Sequence, residues 1–308
     1  MDHLTYLLII VASIFGLWFG AIWIVESASK IAKKIGMSDL VVGLTVVAMA
    51  TSAPEFAVTV AAALKGQAAI SVGNVVGSNI FNLGIILGLV ALFKPLTVTP
   101  RLLYRDGSLL LGAGFLLLIF YGDLTLSFSE GILLFSTLVL YIYVLIKSKE
   151  PAALDEVPAG KYKWYDIPKL ILGAAVLILS AHFFVEAASD FARLLGVSEW
   201  IIGVTIVAAG TSAPELATSI VAIYKGNQGI SIGNLIGSDI FNQLGVLGVA
   251  AILRPLPIVR SDYISLVLLV VTVIIILIMM RTGWKITRLE GVLLILIALL
   301  RWSLDFAF

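Results

Sequence analysis

The stretch Ala48-Met49-Ala50-Thr51-Ser52-Ala53-Pro54-Glu55 sets an acid directly behind a proline, inside a run of apolar residues. After a Lys65-Gly66 turn the chain continues as Gly73-Asn74-Val75-Val76-Gly77-Ser78-Asn79-Ile80-Phe81-Asn82. Both pieces return 160 positions later. The second copy reads Ala208-Ala209-Gly210-Thr211-Ser212-Ala213-Pro214-Glu215, then Lys225-Gly226, then Gly233-Asn234-Leu235-Ile236-Gly237-Ser238-Asp239-Ile240-Phe241-Asn242. The register carries on into Lys94-Pro95-Leu96 and Arg254-Pro255-Leu256. A repeat this long governs the fold ahead of local propensity. A carboxylate inside an apolar span is costly in a bilayer and marks an ion or substrate path. Two of them, at matching places in two halves, point to one shared site.

Working outward, the chain is 60% hydrophobic and 13% charged, where a soluble domain carries about a quarter charged residues. Many runs approach the roughly 20 apolar residues that cross a bilayer. The fold class expected is an all-α integral membrane protein. A net charge of +1 makes no case for nucleic acid. Cysteine is absent, which excludes disulfides and thiolate metal sites. Met1-Asp2-His3 lacks a basic leader, so no cleaved signal peptide is expected. No cofactor and no obligate protein partner is expected either.

Ten transmembrane helices are predicted, near residues 5–28, 40–64, 68–93, 102–121, 127–147, 167–190, 199–224, 228–253, 261–280 and 286–306. Five spans per half is an odd number, so the second half enters the membrane upside down. The division is therefore residues 1–147 as the first five-helix repeat, 148–164 as a polar linker, and 165–308 as the second, inverted five-helix repeat. With the N-terminus outside, 15 Lys and Arg fall on the linker side and 5 on the other. Cytoplasmic loops carry that excess, so a multi-pass protein of the cell membrane is expected, both termini outside and the linker cytoplasmic. Inverted repeats with a midplane site are a recurring transporter plan.

Pro54 and Pro214 lack an N–H and crowd the carbonyl four residues earlier. The carbonyls of Ala50 and Gly210 are expected to lose their donors, and those of Ala48 and Ala208 to tilt out of line. Such groups persist at membrane depth only where something satisfies them, and a cation does so. Thr51 and Glu55 are four apart and are predicted to share a helix face, as are Ser78 with Asn82, Thr211 with Glu215, and Ser238 with Asn242. Together these side chains offer two carboxylates, two amide carbonyls and several hydroxyls, all hard oxygen donors. Oxygen-only sites suit Ca²⁺, Na⁺, Mg²⁺ or Mn²⁺ rather than zinc or copper. Two ionised carboxylates neutralise one divalent cation or two monovalent ones. Left empty, two buried negative charges are prohibitive, so the carrier crosses loaded with Ca²⁺, with Na⁺, or protonated. That is the logic of an exchanger. A cation channel and an intramembrane enzyme are the rival classes; no HExxH, GxSxG or P-loop is present.

ATSAPE with GNVVGSNIFN, and GTSAPE with GNLIGSDIFN, resemble the two alpha repeats of the calcium/cation antiporter superfamily, and most closely its sodium/calcium exchanger branch. The resemblance covers the whole chain. It implies exchange of Ca²⁺ against Na⁺ by alternating access, with H⁺- or K⁺-coupled exchange as the alternative. Glu55 and Glu215 would hold Ca²⁺, and the carbonyls of Ala48 and Ala208 would join Na⁺ sites. Thr51, Ser52, Ser78, Thr211, Ser212 and Ser238 would add oxygens, and the first and sixth helices would slide. Where the second repeat of that family often carries aspartate, this chain has Asn242, matching Asn82. Its nearest acid is Asp239, where Asn79 stands in the first copy.

Other polar residues read as structural. Glu26 and Glu186 are expected at solvated helix ends and His182 in a satisfied core position. Lys65, Lys225 and the tryptophans, Trp200 and Trp302 among them, are expected as interface anchors. Gly73, Gly77, Gly84, Gly88, Gly229, Gly233 and Gly237, with Gly16 and Gly20, are expected to let helices approach closely.

Overall fold

The computed structural model describes residues 3–148, 160–197, 202, 206 and 208–307, without the side chains of Ala208, Ser261 and residues 302–307. Most of the expected linker, the start of the seventh expected span with Trp200, and the Trp302 side chain lie outside the described residues.

The chain is helical almost throughout. α1 (His3–Ile35) is followed by α2 (Asp39–Thr51) and α3 (Ala53–Leu64). α4 (Ala68–Phe93), α5 (Leu102–Asp123) and α6 (Phe128–Ser148) complete the first half. The second half holds α7 (Asp166–Leu194), α8 (Ala208–Thr211), α9 (Ala213–Tyr224), α10 (Gln228–Leu253), α11 (Arg260–Arg281) and α12 (Arg288–Ala307). Short strands lie in the connections: β1 (Leu96–Thr97), β2 (Thr125–Leu126), β3 (Leu256–Pro257) and β4 (Lys285–Ile286). Among the described residues 7 helices are long and apolar enough to cross a bilayer, or 8 with α2 and α3 taken as one bent span. α9 and α12 cover the remaining expected spans and fall outside that count.

Two compact units form, and neither is a sequence half. The first takes Met1–Pro54 and Lys149–Asn234; the second takes Glu55–Ser148 and Leu235–Phe308. Each therefore draws on both copies of the repeat.

In the first unit α1 lies along α7, its counterpart at the 160-residue offset. The His3 ring meets Phe191 at 5.9 Å, Gly20 faces Gly173 and Leu177, and Lys30 Nζ pairs with Asp166 Oδ1 at 3.2 Å. Numbers rise on one helix as they fall on the other, so the related helices run antiparallel. Small residues permit this approach: a Cβ at Gly20 would stand 2.9 Å from the Gly173 carbonyl oxygen. Gly233 sits as tightly on α2, where its Cβ would stand 2.6 Å from the Leu40 carbonyl oxygen. Leu17, Ala21, Ile24, Leu177, Val221 and Ile230 fill the core between these helices.

Two expectations are corrected in this unit. His182 is not a core residue: its side chain is 69% exposed and stands 3.8 Å from Glu186. Gly173, Leu177 and Ala181 form the stripe of α7 that is buried, which turns position 182 outward. Glu26 is not simply solvated at a helix end; its carboxylate takes Lys169 Nζ and Lys225 Nζ, each at 2.8 Å. Lys225, expected as an interface anchor, is thereby an ion-pair partner of Glu26 as well.

In the second unit the same arrangement is built twice. α4 meets α12 at Gly88 and Gly291, and α10 meets α6 at Gly248 and Gly131; the two contacts interchange under the 160-residue shift. β1 pairs antiparallel with β4, and β2 with β3, which is again one pairing seen from both copies. Leu124 (φ 62°) and Trp284 (φ 56°) adopt the left-handed conformation at equivalent turns, which is uncommon for residues with a Cβ. Their carbonyls receive the N–H groups of Ile258 and Val98, both at 2.9 Å.

Gln243 breaks this symmetry, since Leu83 fills the matching place in the first copy. It is fully buried, and neither end of its amide has a hydrogen-bond partner among the described residues. An unpaired buried amide costs about 1–3 kcal/mol. Gln243→Leu is therefore expected to raise the apparent Tm in detergent by about 2–4 °C, measured by intrinsic fluorescence.

Candidate cation site

In the first unit α2 stops at Thr51. Ser52 leaves helical geometry (φ −81°, ψ 10°), and its N–H caps the Ala48 carbonyl at 3.0 Å. α3 then starts at Ala53, bent 50° from α2. Pro54 thus falls in the first turn of a new helix, where a missing N–H breaks no bond. This corrects the expectation of a continuous span kinked at proline. It also separates Thr51 from Glu55, expected on one helix face; Ser212 (φ −90°, ψ 8°) does the same between Thr211 and Glu215. The Ala48 carbonyl is not orphaned, because Thr51 Oγ1 also approaches it at 3.2 Å. To hold a cation it would give up that hydroxyl. Its counterpart Ala208 opens α8.

Residues of both copies meet here. Ser52 Oγ, from the first motif, donates to Glu215 Oε1, from the second, at 2.9 Å, and both residues are 0% exposed. Thr51 Oγ1 lies 3.0 Å from Asn234 Oδ1. Asn234 Nδ2 in turn donates to Ser219 Oγ at 3.1 Å and to the Glu215 carbonyl at 3.4 Å. Ser212 is buried beside them in sequence and Thr211 is half-buried.

The second unit repeats the brace. Glu55 is 0% exposed, and Asn74 Nδ2 donates to Thr59 Oγ1 at 2.9 Å and to the Glu55 carbonyl at 3.2 Å. Ser71 and Ser231 add equivalent bonds, each at 3.0 Å, to the carbonyls of Thr59 and Ser219. Asn74, Asn234, Thr59 and Ser219 were given no role by the sequence reading. Their signal was available: each is a polar residue in an apolar span, recurring at the same offset.

Asn82 and Asn242 sit at π-helical turns, Phe81–Ile86 and Phe241–Val246, a distortion frequent at functional sites. Asn82 Nδ2 donates to Asp239 Oδ1 at 2.9 Å. Asn242 Nδ2 donates to Asn79 Oδ1 at 3.1 Å, and Asn79 Nδ2 donates to the Asp239 carbonyl at 3.2 Å. With both amide nitrogens so engaged, Asn82 Oδ1 and Asn242 Oδ1 are buried without a hydrogen bond among the described residues, and so is Ser78 Oγ. Buried polar atoms are nearly always partnered; three such oxygens are what a cation would satisfy. Ser238 is fully buried in the matching position. No three His, Cys, Asp or Glu side chains come together among the described residues, so hydroxyl, amide and backbone oxygens would supply most of any cation's shell.

A sequence model of the family described as sodium/calcium exchanger protein matches residues 5–147 and 167–301. The chain belongs to the sodium/calcium exchanger family. It is similar to the sodium/calcium exchanger MaX1 of Methanosarcina acetivorans, at 33% identity over 96% of this chain and 97% of that one. It is also similar to the inner membrane protein YrbG of Escherichia coli, at 35% identity over 91% of each chain. Among solved structures it superposes on the sodium-calcium exchanger NCX_Mj soaked with 2.5 mM Na⁺ and 10 mM Sr²⁺. That match has a TM-score of 0.87 at 27% identity, covering 98% of this chain and 99% of that one. As an exchanger family member the chain is an all-helical, multi-pass membrane protein.

Proposed function

We propose that the protein is a secondary antiporter that exports Ca²⁺ in exchange for Na⁺ by alternating access. The observation that carries this reading is the Ser52–Glu215 hydrogen bond at 2.9 Å, a buried carboxylate of one repeat held by the motif of the other. Glu55 and Glu215 carry the exchanged charge. Ser52, Ser78, Asn82, Asn242, Thr51, Thr211, Ser212 and Ser238 supply neutral oxygens, with the Ala48 and Ala208 carbonyls as further Na⁺ ligands. The two glutamates neutralise one Ca²⁺ or two Na⁺, so the carrier moves only when loaded.

Ten spans in two inverted repeats are the frame for this cycle. The antiparallel course of α1 and α7, and the interchanged pairings of β1 to β4, support it. The proposed orientation puts the linker in the cytoplasm and both termini outside. Lys30, Lys169 and Lys225, all on the inner side in that orientation, take part in ion pairs with Asp166 and Glu26.

Isotopic Ca²⁺ uptake into vesicles tests the coupling. Uptake is expected when vesicles are loaded with Na⁺ and diluted into Na⁺-free buffer, and is expected to be absent under an H⁺ or K⁺ gradient alone. Uptake driven only by H⁺ or K⁺ would assign the exchange to another ion. Downhill flux with no counter-ion requirement would indicate a channel.

A further inference from the structure

The two motif copies differ in charge at one buried pair. Asn79 stands in the first and Asp239 in the second, and both are 0% exposed. An acid buried in an apolar span is retained only where it is compensated. Its position shows what it does: Asp239 Oδ1 accepts from Asn82 Nδ2 at 2.9 Å, whereas Asn242 Nδ2 is received by the neutral Asn79 Oδ1 at 3.1 Å. We infer that Asp239 strengthens Asn82 as a cation ligand from behind, so that the two repeats grip the ion unequally.

The physical reasoning has two steps. An ionised carboxylate accepts hydrogen bonds and cannot donate them, so with Asp239 ionised Asn82 has one amide orientation, with Nδ2 toward Asp239 and Oδ1 turned away. A charge-assisted hydrogen bond is also about twice as strong as a neutral one. It polarises the amide and leaves more negative charge on Oδ1, the atom that lacks a hydrogen bond among the described residues. Carboxylates behind metal-binding imidazoles raise ligand basicity in the same way. Asn79 exerts no such pull on Asn242, being neutral and itself donating to the Asp239 carbonyl at 3.2 Å. Through this bond Asp239 acts as a positioning residue for Asn82.

This inference rests on Asn82 binding the transported ion, as proposed above. The test compares the native chain, Asp239→Asn, and the double exchange Asn79→Asp with Asp239→Asn, by Ca²⁺ uptake into Na⁺-loaded vesicles. Asp239→Asn is expected to raise the Ca²⁺ concentration for half-maximal uptake about tenfold, with the maximal rate within about twofold. The double exchange keeps the total charge and an acceptor oxygen for both Asn82 Nδ2 and Asn242 Nδ2, giving up only the Asn79 donation to the residue-239 carbonyl, and is expected to return half-saturation close to the native value. If Asp239→Asn fails to fold, Asn82→Ala and Asn242→Ala decide the matter. Asn82→Ala is expected to be the more damaging in the native chain and Asn242→Ala in the double exchange. An unchanged half-saturation in Asp239→Asn, or the same order of damage in both backgrounds, would overturn the role of Asp239 while leaving the antiporter reading intact. Absence of uptake by the native chain would overturn both.

Discussion

Glu215→Gln is expected to abolish Na⁺-driven Ca²⁺ uptake while the protein still purifies as a folded monodisperse species, and Glu55→Gln is expected to do the same. The substitution is isosteric, so Ser52 Oγ can still donate to the side-chain oxygen that it now reaches at 2.9 Å. What is lost is one of the two glutamate charges proposed to face the ion. A divalent cation moved out of water then keeps one uncompensated charge, which an apolar interior does not tolerate. Removing a mere outer hydrogen-bond partner of a metal ligand typically costs 10–100-fold, so loss of a ligand's own charge should exceed about 100-fold in uptake. Equal melting temperatures for variant and native protein would separate this from misfolding. Uptake at native rates in both variants would make the glutamates structural.

Gly20→Leu is expected to be nearly as severe, through folding rather than ion binding. The Cβ alone would lie 2.9 Å from both the Gly173 carbonyl oxygen and the Leu177 backbone nitrogen. Both are backbone atoms of α7, so no rotamer change relieves the clash and the helices must separate. Overpacking costs typically 1–3 kcal/mol even where side chains can shift, and the cost here falls on the longest helix pair of the first unit. Loss of the monodisperse peak in size-exclusion chromatography is the expected result. Gly112→Ala is the control, since a Cβ there meets nothing within 4 Å. Equal yields of the two variants would mean that the α1–α7 contact contributes little to stability.

Much of the helical frame was legible because the apolar runs are long and the motif returns at a constant offset. Other features were not, for physical reasons. The break at Ser52 was hidden by Pro54, which draws the eye to itself yet sits harmlessly in the next helix. Spacing by four suggested that Thr51 and Glu55 share a face; spacing assumes a continuous helix, and the chain is not continuous there. The outward turn of His182 depends on which stripe of α7 meets α1, and a helix apolar nearly all round does not announce that stripe. At the candidate site, the glutamates stood out as acids among apolar residues. The bonds from Ser52 to Glu215 and from Asn82 to Asp239 did not, since they follow from antiparallel packing of related helices and not from any local pattern. Asn74 and Asn234 lay in plain view within the motif, but only the structure shows them clamping the backbone carbonyls of Glu55 and Glu215.

The most direct measurement is the number of Ca²⁺ ions bound per chain, by equilibrium dialysis of purified native protein, Glu55→Gln and Glu215→Gln. If both acids hold the same ion, the native chain binds one Ca²⁺ at saturation and each variant binds none in the same concentration range. Retention of one tightly bound Ca²⁺ by either variant would contradict a shared ion and leave each glutamate serving a separate purpose.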